Sequence, residues 1–203
     1  SFEEKAEALI SYPRVRLGND NLGLCKLPWV DVFNPESAKR TGTDIYINPA
    51  SQEIYADFYN GMFGTSLTWQ EIFELTDRDI NLQRVMNVLK YGESTPSRDW
   101  IPDRAIGPTD DALYEAEADY NDAEVAAVTG RDAAEAAALP TAEKRGILME
   151  HRRGQLRRLV QVYYRARGWN AAGIPTVETL QRLGLWDFLR EEAREAVRRL
   201  AAA

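Results

Sequence analysis

The sequence feature that most constrains the fold is a helical pattern between Thr68 and Gly92. Thr68 is followed three residues later by Glu71, which makes the capping box typical of a helix N-terminus. Gly92 suits the left-handed position that commonly follows a helix. The apolar residues between them recur at helical spacing: Ile72, Phe73, Leu75, Ile80, Leu82, Val85, Met86 and Leu89. The segment therefore predicts a helix with one broad face buried in a core.

The rest of the chain favours more helices. Apolar residues recur at helical spacing in segments bounded by proline or glycine, namely residues 2–12 (ended by Pro13), 49–61, 140–167, 175–183 and 185–200. The glycines and prolines between residues 14 and 48 favour turns and short helical pieces, with residues 45–47 as a possible short strand. We predict an all-α, irregular multi-helix domain that spans residues 1–203.

Residues 109–138 differ in composition from the segments around them. They are rich in alanine and glutamate and contain few large apolar side chains. Such a segment buries little surface, so we expect an exposed arm. We interpret residues 109–138 as a variable insertion in the domain.

The overall charge argues against nucleic acid as a partner. The 203 residues include 32 acidic and 25 basic side chains, for a net charge of −7. A protein that binds nucleic acid needs a basic face for the phosphates. We therefore expect no nucleic-acid partner.

The single cysteine, Cys25, excludes an internal disulfide bond. A chain without disulfides is typical of the reducing cytoplasm, and we expect a cytoplasmic protein. No apolar run reaches the length of a membrane span, and the N-terminus lacks the pattern of a signal peptide. We expect no membrane span.

The segment from Asp20 to Lys26 is the best candidate for chemistry. The Asp20 carboxylate has two acceptor oxygens, which can take paired hydrogen bonds from a guanidine-like edge of a ligand. Gly23 allows the backbone to approach a flat ligand closely, so that the backbone groups of Leu24 and Lys26 could point toward it. Cys25, as a thiolate, is a soft ligand suited to iron in a cluster.

The same segment also has a simpler interpretation. A lone cysteine beside a leucine is commonly a small buried hydrophobic residue. An aspartate before a glycine-containing turn is commonly a turn or cap residue. A four-iron cluster normally takes four ligands, so Cys25 alone cannot hold one. From these residues alone, both interpretations stay open.

Asp20-x-x-Gly23-Leu24-Cys25 resembles the second pterin-binding motif of the aldehyde:ferredoxin oxidoreductases. Three downstream segments are similar to further motifs of that family and follow in the same order. They are Asn81-Leu82-Gln83-Arg84 with Asn87; Gly92, Arg98-Asp99 and Ile101-Pro102-Asp103-Arg104; and Tyr163-Tyr164-x-x-Arg167-Gly168-Trp169-Asn170-x-x-Gly173-Ile174-Pro175-Thr176. Together these four ordered matches are far more specific than any one of them.

The resemblance implies a role in binding cofactors. It implies that Asp20, Gly23, Leu24 and Lys26 contact one pterin of a tungstopterin (or molybdopterin) cofactor. It also implies that Cys25 is the last of four ligands to a 4Fe-4S cluster. The activity implied is oxidation of aldehydes to carboxylic acids, with electrons passing through the cluster to ferredoxin or an iron-sulfur electron-transfer subunit.

Two departures from the family pattern bear on the substrate. Arg98 and Asp99 are adjacent here, whereas the family commonly separates them, and Thr76 to Asp79 replaces the usual Gly-Glu-Arg. The family's pterin-cradling domain, its other three cluster cysteines and its proposed catalytic residues lie upstream of the matching region. We therefore assign no catalytic residue to this chain, expect the remainder of the enzyme as its partner, and predict that the isolated chain is inactive.

Two alternatives to this function remain. The chain could be a non-catalytic helical interaction or structural module that binds no cofactor. It could also belong to a family member that acts on another substrate, such as an aromatic thioester. A Cys-x-x-Cys-x-x-x-Cys motif upstream of Ser1 would distinguish the oxidoreductase from the non-catalytic module.

Other candidate residues favour structural roles. His151 lies among charged residues of a helix and is interpreted as a solvated residue. The arginines from Arg152 to Arg167 could bind an acidic partner such as ferredoxin, but a solvated helix face is the favoured interpretation. Tyr163, Tyr164 and Trp169 are interpreted as core residues.

Overall fold

The computed structural model describes residues 5–23, 49–92 and 96–201. This part of the chain contains nine α-helices and no named strand, and the all-α prediction is confirmed for it. The helices are α1 (Ala6–Asn21), α2 (Pro49–Phe63), α3 (Trp69–Tyr91), α4 (Asp111–Glu115), α5 (Ala118–Thr129), α6 (Ala133–Ala137), α7 (Thr141–Ala166), α8 (Val177–Arg182) and α9 (Glu191–Ala201).

The chain divides into two compact units. Of the described residues, the larger unit contains 5–23, 49–92 and 162–201, and the smaller unit contains 96–161. Helix α7 begins in the smaller unit, and its last residues belong to the larger one. No helix in the described ranges is long and apolar enough to cross a bilayer.

Helix α3 is the central element of the larger unit. Its predicted capping box is confirmed: the Thr68 hydroxyl accepts from the Glu71 amide, and Gly92 ends the helix with a φ of 71°. The first half of α3 packs into one apolar cluster and the second half into another. The first cluster contains Val15, Tyr55, Ala56, Ile72 and Phe73, and the second contains Val85, Val88, Ile174, Leu180, Leu183, Leu185, Trp186 and Val197.

Helix α1 continues through Pro13, contrary to the prediction that it ends there. It covers Ala6–Asn21, with Pro13 inside it. A proline within a helix costs about 3 kcal/mol, but packing of the later turns offsets this cost. Val15 is buried, and Gly18 lies against the rings of Tyr55 and Phe73. Burial also raises the pKa of Tyr55 to about 12.

The predicted strand at residues 45–47 lies outside the described residues. The last helix, predicted over residues 185–200, begins later, at Glu191. Leu185 and Trp186, before it, are buried in the second cluster. The longer helix was predicted from the spacing of Leu189, Ala193, Val197 and Leu200, of which Leu189 lies before the helix.

The smaller unit has a core of its own, so residues 109–138 are not simply an exposed arm. Tyr114, Val125, Ala136 and Leu148 are buried together. The small alanine side chains allow short helices to approach one another closely, and one tyrosine fills the space between them. The expected exposure holds for most residues of this segment, but the prediction counted only large apolar residues and overlooked how much Tyr114 can bury.

A buried lysine also stabilises the smaller unit. Lys144 Nζ lies 2.9 Å from a carboxylate oxygen of Asp122 and 5.2 Å from the centre of the Tyr114 ring. The Tyr114 hydroxyl donates to Asp122 at 2.8 Å. Burial tends to raise the pKa of Asp122, but the hydrogen bonds from Lys144 and Tyr114 outweigh it and lower the pKa. The three polar groups satisfy one another within an otherwise apolar core.

Candidate functional site

Asp20 and Gly23 lie at the exposed C-terminal end of α1. The Leu22 amide donates to the Gly18 carbonyl, and the Gly23 amide donates to the Asp20 carbonyl, each at 3.1 Å. Gly23 has a φ of 68°, which favours glycine over other residues. A Cβ atom there would meet no atom of the described residues within 4 Å. Glycine is therefore required by the backbone turn itself.

The predicted residues Leu24, Cys25 and Lys26 lie outside the described residues. The contacts predicted for them stay predictions. Within residues 5–23, 49–92 and 96–201, no group of three or more histidine, cysteine, aspartate or glutamate side chains is placed to hold a metal ion.

The end of α1 is attached to α3. The Asn21 side-chain amide donates to Asp79 at 2.8 Å, and Leu22 packs against the first apolar cluster. One contact is polar and the other apolar, and they lie within two residues of each other. The position of the turn at Gly23 is thus determined by α3.

A buried ionic cluster connects α1, α3 and the chain after α7. Asp77 Oδ1 accepts from Arg14 Nε at 3.0 Å and from Arg167 Nη1 at 2.8 Å, and Asp77 Oδ2 accepts from Arg14 Nη2 at 2.6 Å. Arg167 also donates to the Ile10 carbonyl at 3.2 Å. The Arg167 side chain is 1 % exposed and the Asp77 side chain 10 %. Three segments far apart in sequence are therefore joined at one carboxylate.

Two of the family-like motifs contact each other directly. The Trp169 indole N–H donates to Asn81 Oδ1 at 2.8 Å, and Arg84 Nε donates to the Gly173 carbonyl at 2.7 Å. The Arg84 guanidinium also lies over the Trp169 ring, 4.6 Å from its centre. Tyr164 and Trp169 are core residues, as predicted, and this guanidinium lies over both rings, whereas Tyr163 is only half-buried.

Asn170 organises the loop between α7 and α8. Its side-chain oxygen accepts from the amides of Ala172 and Ile174, at 3.0 and 2.9 Å. Its side-chain nitrogen donates to the Ala201 carbonyl at the end of α9. The loop of the Tyr163–Thr176 motif is therefore held by its own hydrogen bonds and contacts α3 and α9.

Sequence reasoning missed the roles of Arg14 and Asp77. Asp77 was considered as part of a departure from the family pattern, and Arg14 was placed in an irregular region. One signal was available: Asp77 lies four residues before Asn81, so both share one face of α3. The Asn81 amide indeed donates to the Asp77 carbonyl at 2.9 Å. The buried face of α3 carries polar residues because two motifs meet there.

Four arginines of α7 pair with acidic residues within the smaller unit: Arg145, Arg152, Arg153 and Arg157. Arg152 donates to Glu124 at 2.7 Å, and Arg153 to Asp103 at 2.6 Å. The hydrogen bond from Arg153 holds the pKa of Asp103 below its usual value. The prediction of a solvated face fails for Arg152 and Arg167, whose side chains are 11 % and 1 % exposed. His151 is half-buried and hydrogen-bonded to Gln155.

The fold and these contacts define an all-helical domain in which buried polar contacts between distant motifs support one exposed turn. The family model described as aldehyde ferredoxin oxidoreductase, domains 2 & 3, matches residues 1–185. The chain belongs to this family, which confirms the resemblance found in the sequence. No curated protein and no solved structure matches the chain.

Proposed function

We propose that this chain is the cofactor-contacting helical domain of a tungsten-pterin oxidoreductase. The complete enzyme oxidises aldehydes to carboxylic acids and passes electrons through a 4Fe-4S cluster to ferredoxin or an iron-sulfur subunit. The observation that carries the proposal is the attachment of the Asp20–Gly23 turn to the motif-bearing helix α3. Membership of the family supplies the class of chemistry.

The described part of the cofactor segment is compatible with a pterin. Asp20 is exposed at the end of a helix, and none of the described residues would contact a Cβ atom at Gly23. In the complete enzyme the Asp20 carboxylate would accept hydrogen bonds from the amino and ring N–H groups of the pterin. Gly23 and the backbone groups of Leu24 and Lys26 would also contact it.

Cys25 is proposed as one ligand of the 4Fe-4S cluster. Its thiolate is the soft donor that iron prefers, and the other three ligands come from the rest of the enzyme. The bound cofactors supply the redox chemistry, while this chain orients them. Both contacts would then come from one short segment of six residues, Asp20 to Cys25.

Metal analysis of the complete enzyme tests this function. We expect iron together with tungsten or molybdenum in the purified protein, and aldehyde-dependent reduction of a redox dye. The 203-residue chain alone serves as the control and is expected to reduce no dye. A complete protein without any of the three metals would contradict the proposal and favour the non-catalytic module. Metal without aldehyde turnover would favour a family member with another substrate.

A further inference from the structure

The larger unit contains a cavity of about 310 Å³ that is separate in sequence from the cofactor segment. It lies beside α1, the first half of α3, the end of α7 and α8. Its volume is in the lower part of the range typical of small-molecule sites. Its walls include the aromatic side chains of Trp69 and Phe73. The cavity therefore offers both apolar and charged surface to a ligand.

The positive and negative charges that line this cavity do not cancel. The described lining residues include three arginines and two acidic residues, which gives a net charge of +1. They are Arg14, Arg167, Arg182, Glu74 and Asp77. An excess positive charge at a partly desolvated site is stabilised by an anion.

The excess charge lies at the floor of the cavity. The single negative charge of Asp77 is paired with two positively charged guanidinium groups, those of Arg14 and Arg167. Both Asp77 oxygens already accept hydrogen bonds from Arg14, and one also accepts from Arg167. Arg14 is 32 % exposed. Its remaining terminal nitrogen, Nη1, is available for a further acceptor.

The rim of the cavity is neutral and open to solvent. It is formed by the ion pair between Glu74 and Arg182, whose side chains are 50 % and 55 % exposed. An exposed pair of this kind contributes little to stability. Both side chains can therefore be changed without unfolding the domain.

We propose that this cavity binds a small carboxylate that carries an apolar group. The two carboxylate oxygens accept hydrogen bonds from the guanidinium groups of Arg14 and Arg182, a geometry that suits the planar fork of arginine. The apolar group lies against Trp69. This site is additional to the proposed cofactor contact and uses none of the residues from Asp20 to Lys26.

Calorimetric titration of the chain with benzoate tests the proposal. Variants that raise or lower the positive charge of the cavity lining should strengthen or weaken benzoate binding, respectively. Glu74→Gln raises the charge of the lining from +1 to +2, and we expect benzoate to bind about two- to fivefold more tightly. Arg182→Gln lowers the charge to zero and removes a donor, so the affinity should fall by at least as much. Added salt should weaken binding to the unmodified chain.

Remote variants and other anions complete the experiment. Glu195→Gln and Arg199→Gln make the same charge changes at exposed residues of α9 that do not line the cavity, and they should leave affinity unchanged. Acetate and inorganic phosphate should bind more weakly than benzoate. Absence of millimolar benzoate binding, or equal shifts with the remote variants, would overturn the site. Phosphate binding as tight as benzoate binding would overturn the carboxylate assignment.

Discussion

Asp77→Asn is expected to lower the free energy of unfolding by about 3–5 kcal/mol, the cost typical of breaking a buried ion pair. Asparagine has nearly the shape of aspartate but no charge. The Arg167 guanidinium, 1 % exposed, would then lose its counter-ion while remaining almost fully buried. Arg14 would lose the partner that holds α1 against α3. Urea denaturation followed by circular dichroism measures the change.

The matched control for Asp77→Asn is Glu74→Gln on the same helix. Glu74 also pairs with an arginine, Arg182, but both side chains are about half exposed. Loss of that pair should cost at most about 1 kcal/mol. If the two variants destabilise the chain equally, the ionic cluster does not connect α1 to α3 in the way described.

Gly173→Ala is expected to destabilise the chain by about 2–5 kcal/mol through two separate effects. Gly173 has a φ of 75°, where an L-residue costs about 1–2 kcal/mol. A Cβ atom there would also lie 2.6 Å from Cζ of the buried Tyr164 and would collide with the Arg84 guanidinium. Overpacking of this kind costs about 1–3 kcal/mol more. The same denaturation measurement applies.

Gly184→Ala separates the two contributions. Gly184 has a φ of 65°, but a Cβ atom would meet nothing within 4 Å. This variant should therefore show the backbone cost alone, about 1–2 kcal/mol. Equal destabilisation by the two alanines would mean that the close contact between Gly173 and Arg84 has no energetic importance.

The helices with strong local signals could be predicted from the sequence. The capping box at Thr68 and the glycine at Gly92 fix both ends of α3, and both signals depend on adjacent residues alone. The turn at Gly23 was also foreseen, since its glycine has a local conformational reason. Predictions succeeded where the physical cause lies within a few residues of its effect.

Predictions failed where the cause is distant in sequence. Pro13 interrupts the helical pattern locally, yet packing of Val15 against α2 and α3 keeps α1 continuous. Asp77 gains its role only because Arg167 approaches it from 90 residues away. No periodicity in the sequence reveals such pairs. The family-like motifs indicated which residues matter, but the structure was needed to show that they contact one another.

The ionic cluster also suggests why the motifs occur together in one chain. Asp77, Asn81 and Arg84 occupy one face of α3, and each holds a different segment: α1, the Trp169 ring and the Gly173 loop. The turn at Asp20, at the C-terminal end of α1, is exposed, whereas these contacts are buried or partly buried. We infer that the downstream motifs act as positioning residues for the proposed cofactor segment.

The most direct test of the central claim is the electron paramagnetic resonance spectrum of the reduced complete enzyme carrying Cys25→Ser. The proposal predicts that the 4Fe-4S signal is lost or clearly altered, with less iron per protein. Asp20→Asn, five residues earlier on the exposed end of α1, is the matched control. It should keep the cluster signal while the tungsten or molybdenum content falls. A Cys25→Ser enzyme with an unchanged cluster signal and full iron content would contradict the proposed role of this segment.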